Sequence, residues 1–99
     1  SALVRHLSAQ APARPVNGRL PLSTYFTSAE LLLRQASLYR ASANEEQLYV
    51  MLLRFASLIV ETVRQHPGFV EADAKYIKLR TALSCEVFPE LERLKAAGG

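Results

Sequence analysis

Residues 48–63 read LYVMLLRFASLIVETV, and how this run is taken decides the fold. At about 100° per residue its apolar side chains cover roughly 220° of a helical wheel, leaving Gln47, Arg54, Ser57, Glu61 and Gln65 as one polar stripe. A helix this apolar has to be covered on two sides. The run is too short and, with Arg54 and Glu61, too polar to span a bilayer, which takes about 20 mostly apolar positions. It reads instead as the middle helix of a small bundle.

Its boundaries are written in the flanking residues. Asn44 with Gln47 three positions on is a capping box, and Glu45 and Glu46 fall where the positive end of the helix dipole favours them. Arg64 and His66 suit the negative end, and Pro67-Gly68 stops the helix. Upstream, Leu22, Tyr25, Ala29, Leu32, Ala36 and Tyr39 alternate spacings of 3 and 4, with Phe26 and Leu33 widening the stripe. Pro21 suits the first turn of that helix. Thr27 and Glu30 form a competing cap, but Tyr25 and Phe26 continue the apolar face and favour the earlier start. The helix should end near Ser42.

Downstream, a third helix is expected from Phe69, burying Ala72, Tyr76, Leu79, Leu83, Val87, Leu91 and Leu94. Pro89 cannot donate to the carbonyl of Cys85, so a kink or restart is expected there. Residues 1–10 place Leu3, Val4 and Leu7 at helical spacing and should form a short extra helix docked on the rest. Residues 11–20, with Pro12, Pro15 and Asn17-Gly18, are a connector. The expected fold is all-α: an antiparallel three-helix bundle over residues 21–97 with a short N-terminal helix.

The totals agree. A chain of 99 residues allows one modest core, and 49% hydrophobic with 21% charged residues is globular composition. A net charge of +3 permits an acidic partner but is not the clustered basic face that nucleic acid requires. The single Cys85 cannot form an internal disulfide, which fits an intracellular chain held by packing. The chain begins without Met, as an excised domain would.

Little here reads as catalytic. His6 and His66 are far apart and lack metal-ligand spacing, no Gly-rich phosphate loop occurs, and no cofactor is called for. Cys85 reads as an inert, partly buried thiol. Glu71 with Asp73, and Glu90 with Glu92, lie two apart on a helix and face different directions. The informative surface is on the last helix, where the wheel gives Val70, Ile77, Thr81 and Phe88 as an apolar shoulder beside the core stripe. Arg80 and Asp73 fall between the two, with Lys75 and Lys78 on the other side. This arrangement suits an acidic amphipathic helix lying in a groove. The other reading is that the shoulder covers the N-terminal segment and the lysines are solvated charges.

A resemblance adds weight to the first. The run LLRQASLY at 32–39 and LYVMLLRFASL at 48–58 resemble the N-terminal domain of the AMSH deubiquitinases, most closely the plant forms. The match continues through Val4-Arg5, Leu7-Ser8, Val16-Asn17, Leu20-Pro21 and Tyr25-Phe26, and on to Phe88-Pro89 and residues 90–95. The resemblance implies a MIT-type domain that docks on C-terminal tail helices of ESCRT-III subunits at endosomes, in a cytoplasmic protein. It further implies a separate zinc-dependent JAMM metalloprotease domain that cleaves ubiquitin chains, none of whose motif is present here, so the chain itself is expected not to be an enzyme. Relatives commonly place Asp before the aromatic that opens the last helix, whereas this chain has Pro67-Gly68-Phe69. The residues expected to contact a partner are Lys75, Ile77, Lys78, Arg80, Phe88 and Val70. No metal ligand, nucleic acid or membrane insertion is expected; the alternative function is a homodimerisation domain of an endosomal ubiquitin-processing protein, with Val70, Ile77 and Phe88 buried against a second copy in a weak homodimer.

Overall fold

In the computed structural model, which describes residues 16–98, three helices follow one another and no strand occurs among the described residues. Helix α1 spans Leu22–Ala41. Its start confirms the earlier of the two expected beginnings, with Pro21 just outside it as the cap residue. Its end is set by Ala43 in the left-handed region at φ 56°, where the amide of Asn44 donates to the Tyr39 carbonyl at 2.9 Å and that of Ala43 to Arg40 at 3.2 Å. This pair of reversed bonds satisfies carbonyls the helix would otherwise leave open. The short extra helix expected at residues 1–10 lies outside the described residues.

Helix α2 begins at Glu45, capped by the Asn44 side chain, which accepts from the Gln47 amide at 3.3 Å. It runs as α-helix over Glu45–Ser57, widens into a π turn over Leu58–Thr62 and tightens into a 3-10 turn over Val63–Gln65. Leu48, Val50, Leu52, Phe55, Ile59 and Val63 are buried along it, which makes α2 the inner helix of the bundle. Val60 departs from the expected apolar face and stands 43% exposed.

The third helix corrects one boundary. It begins at Ala74, not Phe69, because the Asp73 carboxylate accepts from the amides of Lys75 at 2.8 Å and Tyr76 at 3.1 Å. A side-chain cap of this kind fixes where the helix starts. Residues 69–73 are therefore a loop, and Ala72, expected in the core, is exposed. Helix α3 runs over Ala74–Ala82, widens into a π turn at Leu83–Val87 and continues over Phe88–Gly98. Tyr76, Leu79, Leu83, Val87, Leu91 and Leu94 are buried as expected. The disturbance expected near Pro89 takes the form of this wide turn, in which the Phe88 amide donates to Leu83, five residues back. Cys85 sits on its outer side and is exposed, not partly buried.

The wide turn of α3 falls where buried positions recur strictly every four residues, at 79, 83, 87 and 91. In an α-helix with 3.6 residues per turn, such a run drifts about 40° at each step and leaves the core. One wide turn takes up an extra residue and returns the stripe to the core face. On α3 it also moves the carbonyl that the Pro89 ring would strike in a regular helix.

Candidate functional site

The loop between α2 and α3 is pinned at both ends, and this positions the surface beside it. His66 accepts from the Gly68 amide through Nδ1 at 2.9 Å, so the ring proton is on Nε2, which donates to the Leu20 carbonyl at 2.7 Å. The Asn17-Gly18 turn thereby packs on this loop; a Cβ on Gly18 would lie 3.3 Å from the Pro67 ring, so the approach suits glycine. Tyr25 meets the His66 ring edge-on at 5.9 Å, and its hydroxyl accepts from the Asn17 amide at 2.6 Å. At the other end, Arg64 donates to the Tyr76 hydroxyl at 3.0 Å, reaches Glu71 at 3.3 Å and lies over the Phe69 ring at 5.5 Å. The Tyr76 hydroxyl, and after it Glu71, hold the Arg64 guanidinium above its ordinary range. Phe69 in turn packs edge-on against Tyr76 at 4.8 Å.

Against this frame the six expected contact residues fall as follows. Val70 lies in the pinned loop, 57% exposed, while Ile77 on α3 is 51% exposed and Phe88, past the wide turn, 40%. The wheel places Ile77 and Phe88 in one line, but the extra residue of the π turn rotates Phe88 away by about a quarter of a turn. Thr81, on the same shoulder, folds its hydroxyl back to the Ile77 carbonyl at 2.8 Å. Lys75 reaches across to Glu30 of α1 at 3.5 Å, Arg80 donates to the Ser84 hydroxyl at 2.8 Å, and Lys78 is exposed. Asp73, read from the wheel as a neighbour of Arg80, is occupied as the helix cap. Ile77, Lys78 and Arg80 therefore stand on α3 and Val70 in the loop before it, while the wide turn sets Phe88 apart.

Two further features lie away from this surface. Glu90 accepts both Nε and Nη2 of Arg40, at 2.9 and 2.7 Å, and a third bond from Arg93 at 3.1 Å. The Arg40 bonds, aided by its charge and that of Arg93, hold the Glu90 carboxyl below its ordinary range despite burial, and Glu90 raises Arg40 in return. The second feature is a cleft between α1 and α2 near Leu31, Leu32 and Leu58, with Arg54 on its wall. Among the described residues no group of three or more His, Cys, Asp or Glu side chains could hold a metal ion, and no helix is long and apolar enough to cross a membrane.

The fold defines an all-α helical-bundle domain over the described residues. Comparison with known families makes this specific: the chain belongs to the USP8 dimerisation domain family, whose model matches residues 1–97. Over 83 residues, 81% of the chain, it is 40% identical to AMSH-like ubiquitin thioesterase 1 of Arabidopsis thaliana. Over 54 residues, 54% of the chain, it is 53% identical to AMSH-like ubiquitin thioesterase 3 of the same plant. The matched regions are 16% and 11% of those two proteins, so the chain corresponds to a small part of each. The resemblance to the AMSH N-terminal domain read from residues 32–39 and 48–58 is upheld.

Proposed function

We propose that this chain is the protein-docking domain of an AMSH-type deubiquitinase and recruits it, from the cytoplasm, to the acidic amphipathic tail helices of ESCRT-III subunits on endosome surfaces. On this reading the zinc-dependent chain-cleaving activity belongs to a separate JAMM domain, and the residues here supply location only. The observation that carries it is the start of α3, where half-exposed Ile77 stands on the helix between Lys78 and Arg80, and exposed Val70 lies in the preceding loop, which Arg64, Phe69 and Tyr76 hold. A preformed apolar contact rimmed by cations suits a helix that is apolar on one face and acidic at its edges.

The test is titration calorimetry against peptides from each ESCRT-III tail at two ionic strengths. Reversing Lys75 and Lys78 to Glu should weaken binding most at low salt, where exposed charges are least screened. Ile77→Asp should weaken it at both salts by placing a charge in the apolar contact. Circular dichroism should show all variants folded, since the three positions are exposed. Equal tail binding by wild type and every folded variant would remove this surface from consideration.

A further inference from the structure

We propose that Asn17-Gly18 is a site of spontaneous covalent modification, at which the Gly18 nitrogen attacks the Asn17 side-chain amide and the asparagine passes through a succinimide to isoaspartate and aspartate. It does not depend on the α3 surface or on any partner that binds there.

The groups that the reaction needs meet in one turn. Asn17, Gly18 and Arg19 are all exposed, so water reaches them. The Leu20 amide donates to the Asn17 carbonyl at 3.1 Å and closes the turn, while the Tyr25 hydroxyl, accepting from the Asn17 amide at 2.6 Å, holds its first residue. Within the turn, Asn17 Oδ1 accepts from the Arg19 amide at 3.0 Å. That bond folds the side chain back along the Gly18 peptide unit, toward the nitrogen that has to reach its Cγ. It also aims a donor at the oxygen on which negative charge develops as the nitrogen adds. The Gly18 amide makes no hydrogen bond among the described residues, so no bond has to break before it loses its proton. Gly18 also lacks the Cβ that would crowd the attack. Asn44, the other asparagine of the chain, lacks this arrangement: its Oδ1 accepts from the Gln47 amide as a helix cap, and Glu45 follows it.

Water and hydroxide are the only reagents required. The Gly18 nitrogen gives its proton to hydroxide and bonds to Asn17 Cγ; the side-chain nitrogen takes a proton from water and leaves as ammonia, closing the succinimide ring. Water then opens the ring at either carbonyl. Opening at Cγ gives aspartate, whereas opening at the backbone carbonyl leaves the chain running through Cβ and Cγ, which is isoaspartate. Isoaspartate makes the oxygen that accepts from Leu20 part of a free carboxylate and lengthens the main chain inside the turn. The bond between Leu20 and Asn17 is then lost, and with it the placement of the Leu20 carbonyl against His66 Nε2 at 2.7 Å. The product unties residues 17–20 from the loop between α2 and α3.

The experiment incubates the folded chain, and separately a synthetic peptide of residues 14–21, near neutral pH. Isoaspartate is followed by enzymatic methylation with a labelled methyl donor and located by peptide mass mapping. It should appear at Asn17 and not at Asn44, at a rate at least equal to that of the peptide and rising in proportion to hydroxide concentration. Asn17→Gln, which would have to close a larger ring, should lose the signal while its circular dichroism matches wild type. In the converted chain the Leu20 amide should lose its protection from hydrogen exchange, and the amides of buried Leu52 and Phe55 should keep theirs. Conversion slower than in the peptide, isoaspartate at Asn44 in place of Asn17, or a Leu20 amide as protected after conversion as before would each overturn the proposal.

Discussion

Ala43 illustrates how much a single residue decides. It occupies a left-handed position that ends α1, at φ 56°, where a side chain costs about 1–2 kcal/mol and glycine nothing steric. Ala43→Gly should therefore raise stability by about 0.5–1 kcal/mol after the extra flexibility of the unfolded chain is subtracted, seen as a higher denaturation midpoint. Leu52 and Phe55, at 1% and 0% exposure, are the opposite case. Truncating either to Ala should cost about 2–5 kcal/mol, and an unchanged midpoint would contradict their place at the centre of the core. Glu90 adds a dependence on pH. Its folded carboxyl titrates below the ordinary range because Arg40, then Arg93, stabilise the charged form. A depressed folded value means the contribution is complete above the unfolded value of about 4.3 and fades as pH falls below it. Glu90→Gln should lower stability at neutral pH by about 1 kcal/mol and flatten the acid limb of a stability profile below pH ~4.

At the scale of elements, spacing matters more than composition. The caps at Asn44 and the stripe from Leu22 to Tyr39 were legible because they depend on near neighbours, and the buried run from Tyr76 to Leu94 was legible as positions. What the wheel could not carry was phase, since it assumes 3.6 residues per turn throughout, and the π turns of α2 and α3 break that assumption. This is why Phe88 was aligned with Ile77 on paper and is not in the fold. Nor could it show His66 bonding to the Leu20 carbonyl, or Arg40 to Glu90, since those partners lie 46 and 50 residues apart. The Asp73 cap was visible in principle: an aspartate three residues before Tyr76 is a start signal that the longer apolar run from Phe69 obscured. The wide turn offers a direct test. Deleting exposed Cys85 changes the buried spacing from 4, 4, 4 to 4, 3, 4, which a regular helix satisfies. That deletion leaves Pro89 in a regular helix, at a cost of about 3 kcal/mol, and adding Pro89→Ala should recover most of it. Deleting Lys78 instead, which brings Tyr76 and Leu79 two apart, should unfold the bundle with or without the proline. Thermal melts of the two deletions, each with and without Pro89→Ala, distinguish a turn set by spacing from one set by the proline alone.

For the whole molecule the question is whether one surface serves both self-association and tail binding. A stable dimer buries about 800 Å² per partner, roughly an eighth of the 6054 Å² surface of this chain. An interface of that size centred on Ile77 would reach Val70, Lys78 and Arg80, so a bound tail and a second copy could not occupy the start of α3 together. The exposed apolar side chains are not confined there: Leu31 and Leu38 stand on α1 and Val60 on α2, leaving other faces for a copy to use. If α3 is reserved for tails, the mass measured by light scattering across a concentration series should be the same with and without saturating tail peptide. Ile77→Asp should then remove peptide binding while leaving that mass curve unchanged. A dimer dispersed by the peptide, or by Ile77→Asp, would instead assign the start of α3 to self-association, the property for which the family is named.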